Sequence, residues 1–367
     1  MGAGTAQGGA CLLISGKERK NMEFVVFAGV LLLLFIFMIV QELIQTKNQE
    51  KLFKKYLREN YGKEPPKEYS LERFARLGSY LERHKEEKQL DDITWNDLGM
   101  DEVFRRIDRT YSAAGEEYLY YTLRNISCGR EALEHLEEVV NWLQEQENIK
   151  VRIQLLMKRL GHLGKYSLYD YLDNLDYLGE RSNRKIVLGN LLYLPFLLLL
   201  FVQPAMGTIG IVLCMLWHIM TYFREKKVIE PYIISFAYVL RLIDVCEELE
   251  KQKIPVYRRE LDELREALKS LRELRRGAYW VMAGNQGKIG GNPLDILADY
   301  LRMILHLDIF QFNRMLEKLR KKTGQVETML AITGYLDMAI SVGGFRKSLE
   351  GYCIPKLEED TEKAFLH

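Results

Sequence analysis

Nucleotide chemistry would require a phosphate-binding loop, and the glycine-rich segment 284–292, GNQGKIGGN, is the nearest approach to one in this sequence. The P-loop signature G-x-x-x-x-G-K-[ST] needs a Ser or Thr after its Lys to bind magnesium, and here Ile289 takes that place. The segment is therefore predicted to be a flexible loop. No histidine cluster suited to a metal occurs, and His306, two residues before Asp308 in an apolar pattern, is predicted to be a core residue. We accordingly predict no catalytic residues and no cofactor or metal site.

A group of short polar residues separates two apolar patterns at helical spacing. The patterns consist of Met100, Val103, Phe104 and Ile107, then Leu119, Tyr120 and Leu123. Between them, Asp108, Thr110 and Ser112 carry side chains that bond nearby backbone groups and so favour caps and turns. Gly115 permits the close approach of another backbone. We predict that these four residues form a structural corner that sets the angle between two helices.

A dense basic cluster follows much later in the chain. It consists of Arg314, Lys318, Arg320, Lys321 and Lys322. Such cations suit contacts with DNA phosphates, but cations are equally favoured at the carboxyl end of a helix, and the sequence leaves both interpretations open. The formal net charge of the whole chain is only +1, so its overall charge does not indicate a nucleic-acid partner.

Two segments together resemble the core, or lever, domain of the MutS family, the ATP-driven clamps of DNA mismatch repair. The spacing Ile-Asp-x-Thr-x-Ser-x-x-Gly from Ile107, followed by an aromatic and leucine-rich helix that ends in Leu-Arg, is similar to the start of that domain. The segment from Asn292 to Pro355 is similar to its returning half. There the family pattern Gly-x-x-Asp-x-x-x-Ser is matched by Gly334, Asp337 and Ser341.

The resemblance covers roughly residues 91–180 and 225–367, and it implies a function without chemistry of its own. In the family, this all-helical domain couples an ATPase to a DNA clamp, and its last helix leads into the ATPase. This sequence ends at His367, which favours truncation, so ATP and magnesium are expected only with an ATPase domain in cis or in trans. The implied partners are DNA, a second copy of the chain or that ATPase. The alternative is a helical membrane scaffold that reuses the core for protein contacts. The coding sequence just beyond codon 367 would separate these two hypotheses.

Three long apolar segments predict membrane spans. They are residues 24–40, 186–202 and 205–223, each close to the length that crosses a bilayer core of about 30 Å. Gln203 and Pro204 join the second and third as a tight turn, which predicts a helical hairpin. Lys and Arg flank the other ends of the spans, whereas the turn carries no charge. By the positive-inside rule, we predict a multi-pass protein of the plasma membrane whose large polar segments are cytoplasmic.

The predicted fold class is therefore an all-α, MutS-like core interrupted by a transmembrane hairpin, with an additional amino-terminal transmembrane helix. The glycine-rich residues before Met22 are predicted to be a non-native or disordered leader, with a cleaved signal peptide as the alternative. The predicted divisions are a leader (1–21), the first span (22–40), juxtamembrane helices (41–90), the first half of the core (91–180), the hairpin (186–223) and long lever helices with the second half of the core (224–367).

Three further patterns predict individual helices. Residues 131–160 are predicted to continue as one amphipathic helix, and Pro231 to Glu250 as a separate long one. Five leucines recur at steps of three and four residues: Leu261, Leu264, Leu268, Leu271 and Leu274. We expect this seam to pack against a neighbouring helix of the same chain rather than to form an intermolecular coiled coil.

Overall fold

The computed structural model describes residues 37, 40–41, 44–63, 69, 71–85, 89–125, 129–164, 167–275 and 300–353. Within these residues the chain is all-helical, as predicted, with one isolated antiparallel bridge between Gln89 and Asn125 and no strand. The predicted leader, nearly all of the first span and the loop 284–292 lie outside the described residues.

The chain forms two compact units, residues 1–60 and 61–367. The described part of the first unit contains helix α1 (44–60), which exposes Leu52 and carries an ion pair between Lys54 and Glu50 at 2.6 Å. The helices of the second unit are α2 (Leu71–Arg83), α3 (Asp92–Asp97), α4 (Met100–Ile107), α5 (Ala113–Arg124), α6 (Arg130–Glu145), α7 (Glu147–Leu160), α8 (Leu168–Asp173), α9 (Arg184–Leu191), α10 (Tyr193–Val202), α11 (Pro204–Glu250), α12 (Arg258–Leu271), α13 (300–305), α14 (Leu307–Arg320) and α15 (Thr323–Ser348). Short 3₁₀ turns occupy Leu175–Leu178, Pro255–Tyr257 and Arg272–Arg275.

Helix α15 is the central element of the core. It contacts α4, α5, α6, α7, α11 and α12, and a helix surrounded by neighbours is expected to be apolar around most of its circumference. Val326, Met329 and Leu336 are fully buried. All five leucines of the seam are buried as well, and α12 packs against α11 and α15. The seam therefore faces the core of its own chain.

The structure differs from the sequence prediction at three places. Residues 131–160 form two helices, since Gln146 leaves the helical conformation (φ −94°, ψ 64°) and α7 packs back on α6. Helix α11 runs without interruption from Pro204 to Glu250 although Pro231 lies inside it; the Lys227 carbonyl, which Pro231 cannot pair, lies in an exposed stretch where water can bind it. Helix α2, assigned by sequence to the juxtamembrane part, packs on α5 in the core.

Within the part of the chain that the structure describes, three helical segments are long and apolar enough to cross a membrane. In Arg184–Val202, only 6% of the most apolar window is buried within the structure, and in α11 the share is 28%. In α15 it is 72%. Since α15 lies inside the helical core, the first two segments are the membrane candidates and α15 is a core helix.

The hairpin of α9, α10 and α11 closes through small residues. A Cβ added at Gly207 would lie 2.7 Å from the Leu200 nitrogen, and one at Gly210 would lie 2.8 Å from Phe196 Cγ. Small residues at helical spacing are typical of closely packed membrane helices. The first arm is broken for one residue at Leu192, because Pro195 has no N–H to donate to the preceding turn.

Candidate functional site

The corner between α4 and α5, residues 107–115, is built by its own polar side chains. Helix α4 ends at Ile107, and Asp108 adopts an extended conformation. Its Oδ1 accepts hydrogen bonds from the Thr110 backbone nitrogen (3.0 Å) and from Thr110 Oγ1 (2.6 Å). Ser112 is the N-cap of α5 and accepts a hydrogen bond from the Gly115 nitrogen at 3.1 Å. These bonds occupy groups that a helix end leaves without partners.

Helix α15 supplies the remaining partners of the corner from more than 200 residues away in sequence. Asp337 Oδ2 accepts hydrogen bonds from the Tyr111 nitrogen (3.0 Å), the Ser112 nitrogen (2.8 Å) and Ser112 Oγ (2.6 Å). One turn further along α15, Ser341 Oγ donates to the Ile107 carbonyl and accepts from the Arg109 nitrogen, both at 2.7 Å. The two segments that carry the family resemblance thus form one hydrogen-bonded junction.

Two glycines permit the close approach of α5 and α15. A Cβ added at Gly115 would lie 2.7 Å from Asp337 Cβ, and one at Gly334 would lie 2.6 Å from the Ala114 carbonyl oxygen. Both distances are shorter than van der Waals contact, so either side chain would push the helices apart. The neighbour at Gly115 is the Asp337 side chain rather than another backbone, whereas Gly334 lies against the Ala114 backbone of α5.

A buried ionic group lies beside the corner. Glu116 is fully buried, and its carboxylate contacts the guanidinium groups of Arg73 and of Arg76 (2.7 Å) and His162 Nε2 (3.3 Å). Arg73 also approaches Asp108 Oδ2 at 3.6 Å. Buried carboxylates need such partners, because removing a charge from water is costly unless it is paired. Helix α2 therefore contributes two of the cations that hold the corner in place.

Glu117, the next residue of α5, has a different environment. Burial raises its pKa to about 8, although the Ser167 hydroxyl donates to it at 2.9 Å and Arg76 lies nearby, both of which lower the pKa. It lines a cavity of about 10 Å³ together with Tyr238 and other residues. The Glu117 carboxyl is accordingly held mainly in its protonated form at neutral pH.

The geometry of the corner suits a rigid joint better than a reaction centre. Asp108, Thr110, Ser112 and Asp337 are each no more than 1% exposed. No group of three or more potential metal ligands occurs among the described residues. The polar groups satisfy one another and the backbone, and the junction fixes the orientation of α4, α5 and α15.

The predicted basic cluster separates into two sets. Arg320 donates to the carbonyls of Leu175 (2.7 Å) and Gly179 (2.9 Å), and Lys322 donates to the Ser270 carbonyl, so both cap neighbouring elements. Arg314 and Lys318 of α14 and its C-cap residue Lys321 instead follow one another at steps of four and three residues along one face, where Arg314 and Lys321 are exposed. Glu317 lies on that face too, which leaves a modest positive charge there.

Several important residues could not be recognised from sequence spacing. Arg73 and Arg76 appear as ordinary charges on an amphipathic helix, although their position three residues apart beside buried Leu77 is a weak signal of burial. Asp337 could be linked to the corner only through the family resemblance. His306 is not within a helix but at the break before α14, with φ +52°. It is the only described residue other than glycine with positive φ, a strained conformation.

Comparison with known proteins provides no independent assignment. No protein-family model matches this chain, and neither a curated protein nor a solved structure does.

Proposed function

We propose that this chain is the non-catalytic lever part of a membrane-anchored, MutS-like protein, which couples an ATPase, supplied in cis or in trans, to DNA or to a partner protein. One observation carries the proposal. The corner and the Gly334–Ser341 segment, whose spacings resemble the two ends of a MutS core, meet in one buried junction through Asp337 and Ser341. The two patterns belong to one domain in the family, and their contact in this chain supports the proposal.

The mechanical part of the proposal rests on α11. This helix has 47 residues, which corresponds to about 70 Å at 1.5 Å per residue. Its first half forms the apolar hairpin, and its second half buries Phe236, Leu242 and Val245 in the core. A continuous helix transmits displacement between membrane and core better than a jointed one, so a movement of the core relative to the membrane would be carried along α11.

The membrane part rests on the surface of the hairpin. Its outward side chains are large, apolar and exposed, including Leu198 (69%), Phe201 (89%) and Met220 (74%). Contiguous exposed apolar surface of this kind would be unfavourable in water. We place this surface in the bilayer and the charged ends of the hairpin at the cytoplasmic interface.

Site-specific photocrosslinking in native membranes tests the proposed ATPase coupling. A photoreactive phenylalanine analogue at Tyr352, which is 51% exposed just beyond α15, should crosslink to an ATPase domain of the MutS class, within the same polypeptide or in another. The same substitution at Tyr177, which is 85% exposed, is the matched control and should not. If no ATPase is crosslinked at either position and a different protein is crosslinked reproducibly at Tyr352, the result favours the membrane-scaffold alternative.

Cysteine accessibility tests the proposed orientation. A cysteine at Gln203, in the hairpin turn, should react with a membrane-impermeant maleimide added to intact cells. A cysteine at Asn96, in the core, should react only after the membrane is permeabilised. The reverse pattern would place the core outside and would be incompatible with a role beside cytoplasmic DNA.

DNA binding is tested on the exposed basic face of α14. Neutralising Arg314, Lys318 and Lys321 to Gln in the full chain in nanodiscs should weaken binding of a fluorescent duplex and reduce its salt dependence, since each lost phosphate contact lowers the salt slope by roughly 1. Neutralising the exposed cations Arg259 and Lys269 of α12 is the control. Equal losses in the two variants would show that the α14 face has no special role.

A further inference from the structure

A cleft lies at the base of the hairpin, where α9 and α11 meet α14. Its volume is about 770 Å³. The wall that continues into the hairpin is apolar and includes Leu188, Leu192 and Trp217. The wall at the opposite end is charged and includes Arg181, Lys185 and Arg224. The cleft thus changes from apolar to cationic where the proposed bilayer surface lies.

The charges of the cleft favour an anionic ligand. Arg181 pairs with Glu225 at 3.1 Å, but Lys185 and Arg224 form no ion pair with any residue in the described part of the chain. The side chains of both residues are exposed to solvent. With Glu180 as the second acidic residue of the lining, three cations face two anions. Phosphate is a suitable counterion for a Lys and an Arg that line the same cleft.

A buried polar group inside the cleft is unsatisfied. Asn313 is 7% exposed, and its Nδ2 donates to Asn183 Oδ1 at 2.9 Å. Its own Oδ1 is buried and has no hydrogen-bond partner. A buried acceptor without a donor lowers the stability of the fold by about 1–3 kcal/mol. The Asn313 oxygen therefore indicates a donor that is supplied from outside the chain. A headgroup hydroxyl meets this requirement.

The cleft is joined to the core by direct hydrogen bonds. Tyr222 donates to Asp308 Oδ2 at 2.7 Å, and Asn190 Nδ2 donates to the Leu305 carbonyl at 3.1 Å. His306, with its strained backbone, contacts Thr221 Oγ1 at 3.3 Å through Nε2. Of these residues, Thr221 and His306 line the cleft, so a ligand there would lie against the residue that directly precedes α14.

We propose that this cleft binds one molecule of an anionic phospholipid, with the phosphate at Lys185 and Arg224, a headgroup hydroxyl at Asn313 Oδ1, and the first part of an acyl chain along Leu188 and Trp217. Cationic pockets between membrane helices on the cytoplasmic side suit such headgroups. This inference rests on the proposed insertion of the hairpin in the membrane. It assigns the anchor a chemical preference for the surrounding lipid.

Fluorescence quenching in nanodiscs tests the site with the full chain. Trp217 is half exposed, and its emission is obtained by subtracting the Trp217→Phe variant. Two nanodisc preparations carry the same low mole fraction of a brominated lipid. In the first the brominated lipid is phosphatidylglycerol in phosphatidylcholine, and in the second it is phosphatidylcholine in a disc that also contains unbrominated phosphatidylglycerol. Quenching of Trp217 should be stronger in the first. The Lys185→Gln/Arg224→Gln variant should lose this excess, with an apparent affinity about tenfold or more weaker.

The matched control is Arg184→Gln/Lys227→Gln, which removes two neighbouring cations of α9 and α11 that lie outside the cleft lining. It should keep the excess quenching. The proposal is overturned if both lipids quench equally, if the control variant loses as much as the cleft variant, or if soluble glycerol phosphate abolishes the excess, which would identify a soluble ligand. Quenching by brominated phosphatidylcholine tests the membrane insertion of the hairpin separately. If neither brominated lipid quenches Trp217, the hairpin is not in the bilayer, and the proposed membrane anchor is wrong independently of the lipid site.

Discussion

The first half of α11 and the whole of α15 are both long apolar helices, yet they are placed in opposite environments. The hairpin half of α11 exposes large side chains such as Met220, whereas the apolar window of α15 is 72% buried by other helices. A prediction from length and apolarity alone would place both helices in a membrane. The comparison shows that the polar residues within such a helix distinguish the two cases.

The polar residues of α15 serve neighbouring elements. Asp337 and Ser341 bond the backbone of the corner, and only the buried Thr333 among these three residues returns to a carbonyl of its own helix, that of Met329 at 2.8 Å. In the hairpin half of α11, Thr208 near the turn bonds the Pro204 carbonyl of its own helix at 2.8 Å. A carboxylate that reaches another element is thus typical of a core helix. Hydroxyls that return to their own backbone are compatible with lipid.

The largest expected effect comes from removing the carboxylate that defines α15 as a core helix. Asp337→Ala removes the carboxylate that accepts from the Tyr111 and Ser112 backbone nitrogens and from the Ser112 hydroxyl. We expect a loss of about 3–5 kcal/mol in the free energy of unfolding, or roughly 10 °C in the melting temperature of the full chain in detergent. Scanning fluorimetry measures it.

The exposed Asp97→Ala is the control for this experiment and should change the melting temperature by no more than about 1 °C, since surface substitutions rarely exceed 0.5 kcal/mol. Asp337→Asn should lie between the two, because its amide oxygen still accepts one of the bonds. If Asp337→Ala melted like the control, the junction would contribute nothing to stability, and the distinction between α15 and a membrane helix would lose its main support.

The next largest effect concerns the glycines that bring helices together in both regions. Gly115→Val places a branched side chain where a Cβ alone would lie 2.7 Å from Asp337 Cβ, and it should cost about 3 kcal/mol through overpacking. Gly210→Val introduces a similar overlap with Phe196 in the hairpin. We expect Gly115→Val to lower the melting temperature of the core. Gly210→Val should mainly weaken a disulfide crosslink engineered between α10 and α11. Reversed outcomes would show that the two regions do not unfold separately.

The helical class and the hairpin could be predicted because they depend on local periodicity and on runs of apolar residues. The two helices around the corner could be predicted for the same reason. The break at Gln146 could not, since the apolar spacing continues across it and only packing reveals the reversal. The contact between Ser112 and Asp337 spans 225 residues, and no local pattern encodes such a distance. The burial of Arg76 depends on the position of Glu116 in another helix.

The pH dependence of stability tests the raised pKa of a buried carboxyl in the core. The hairpin sequence, residues 186–223, contains no Asp or Glu that could behave in this way. The pKa of Glu117 is raised to about 8 from an ordinary value of 4.5. Between these values the folded chain holds a proton that the unfolded chain releases, so this residue makes stability fall as pH rises, by at most about 1.4 kcal/mol per pH unit. Glu117→Gln should remove that slope, so the stability of this variant relative to the wild type should rise steadily from pH 5 to pH 8. Melting temperatures of both chains over this range measure it, and parallel curves would contradict the raised pKa.

The smallest expected effect concerns a single hydroxyl of the corner. Thr110 is 1% exposed, and its Oγ1 donates to Asp108 Oδ1 at 2.6 Å. Thr110→Val keeps the shape of the side chain but removes the donor, while the Thr110 nitrogen still bonds the same oxygen at 3.0 Å. Because Asp108 retains that bond, its contact with Tyr69 and its proximity to Arg73, we expect a loss of only about 1 kcal/mol, or roughly 3 °C in melting temperature. Thr110→Ser keeps the hydroxyl and provides the control, which should lose less than Thr110→Val. If both variants melted like the wild type but the Tyr352 crosslink to the ATPase disappeared, the corner would act as a contact surface instead of a joint.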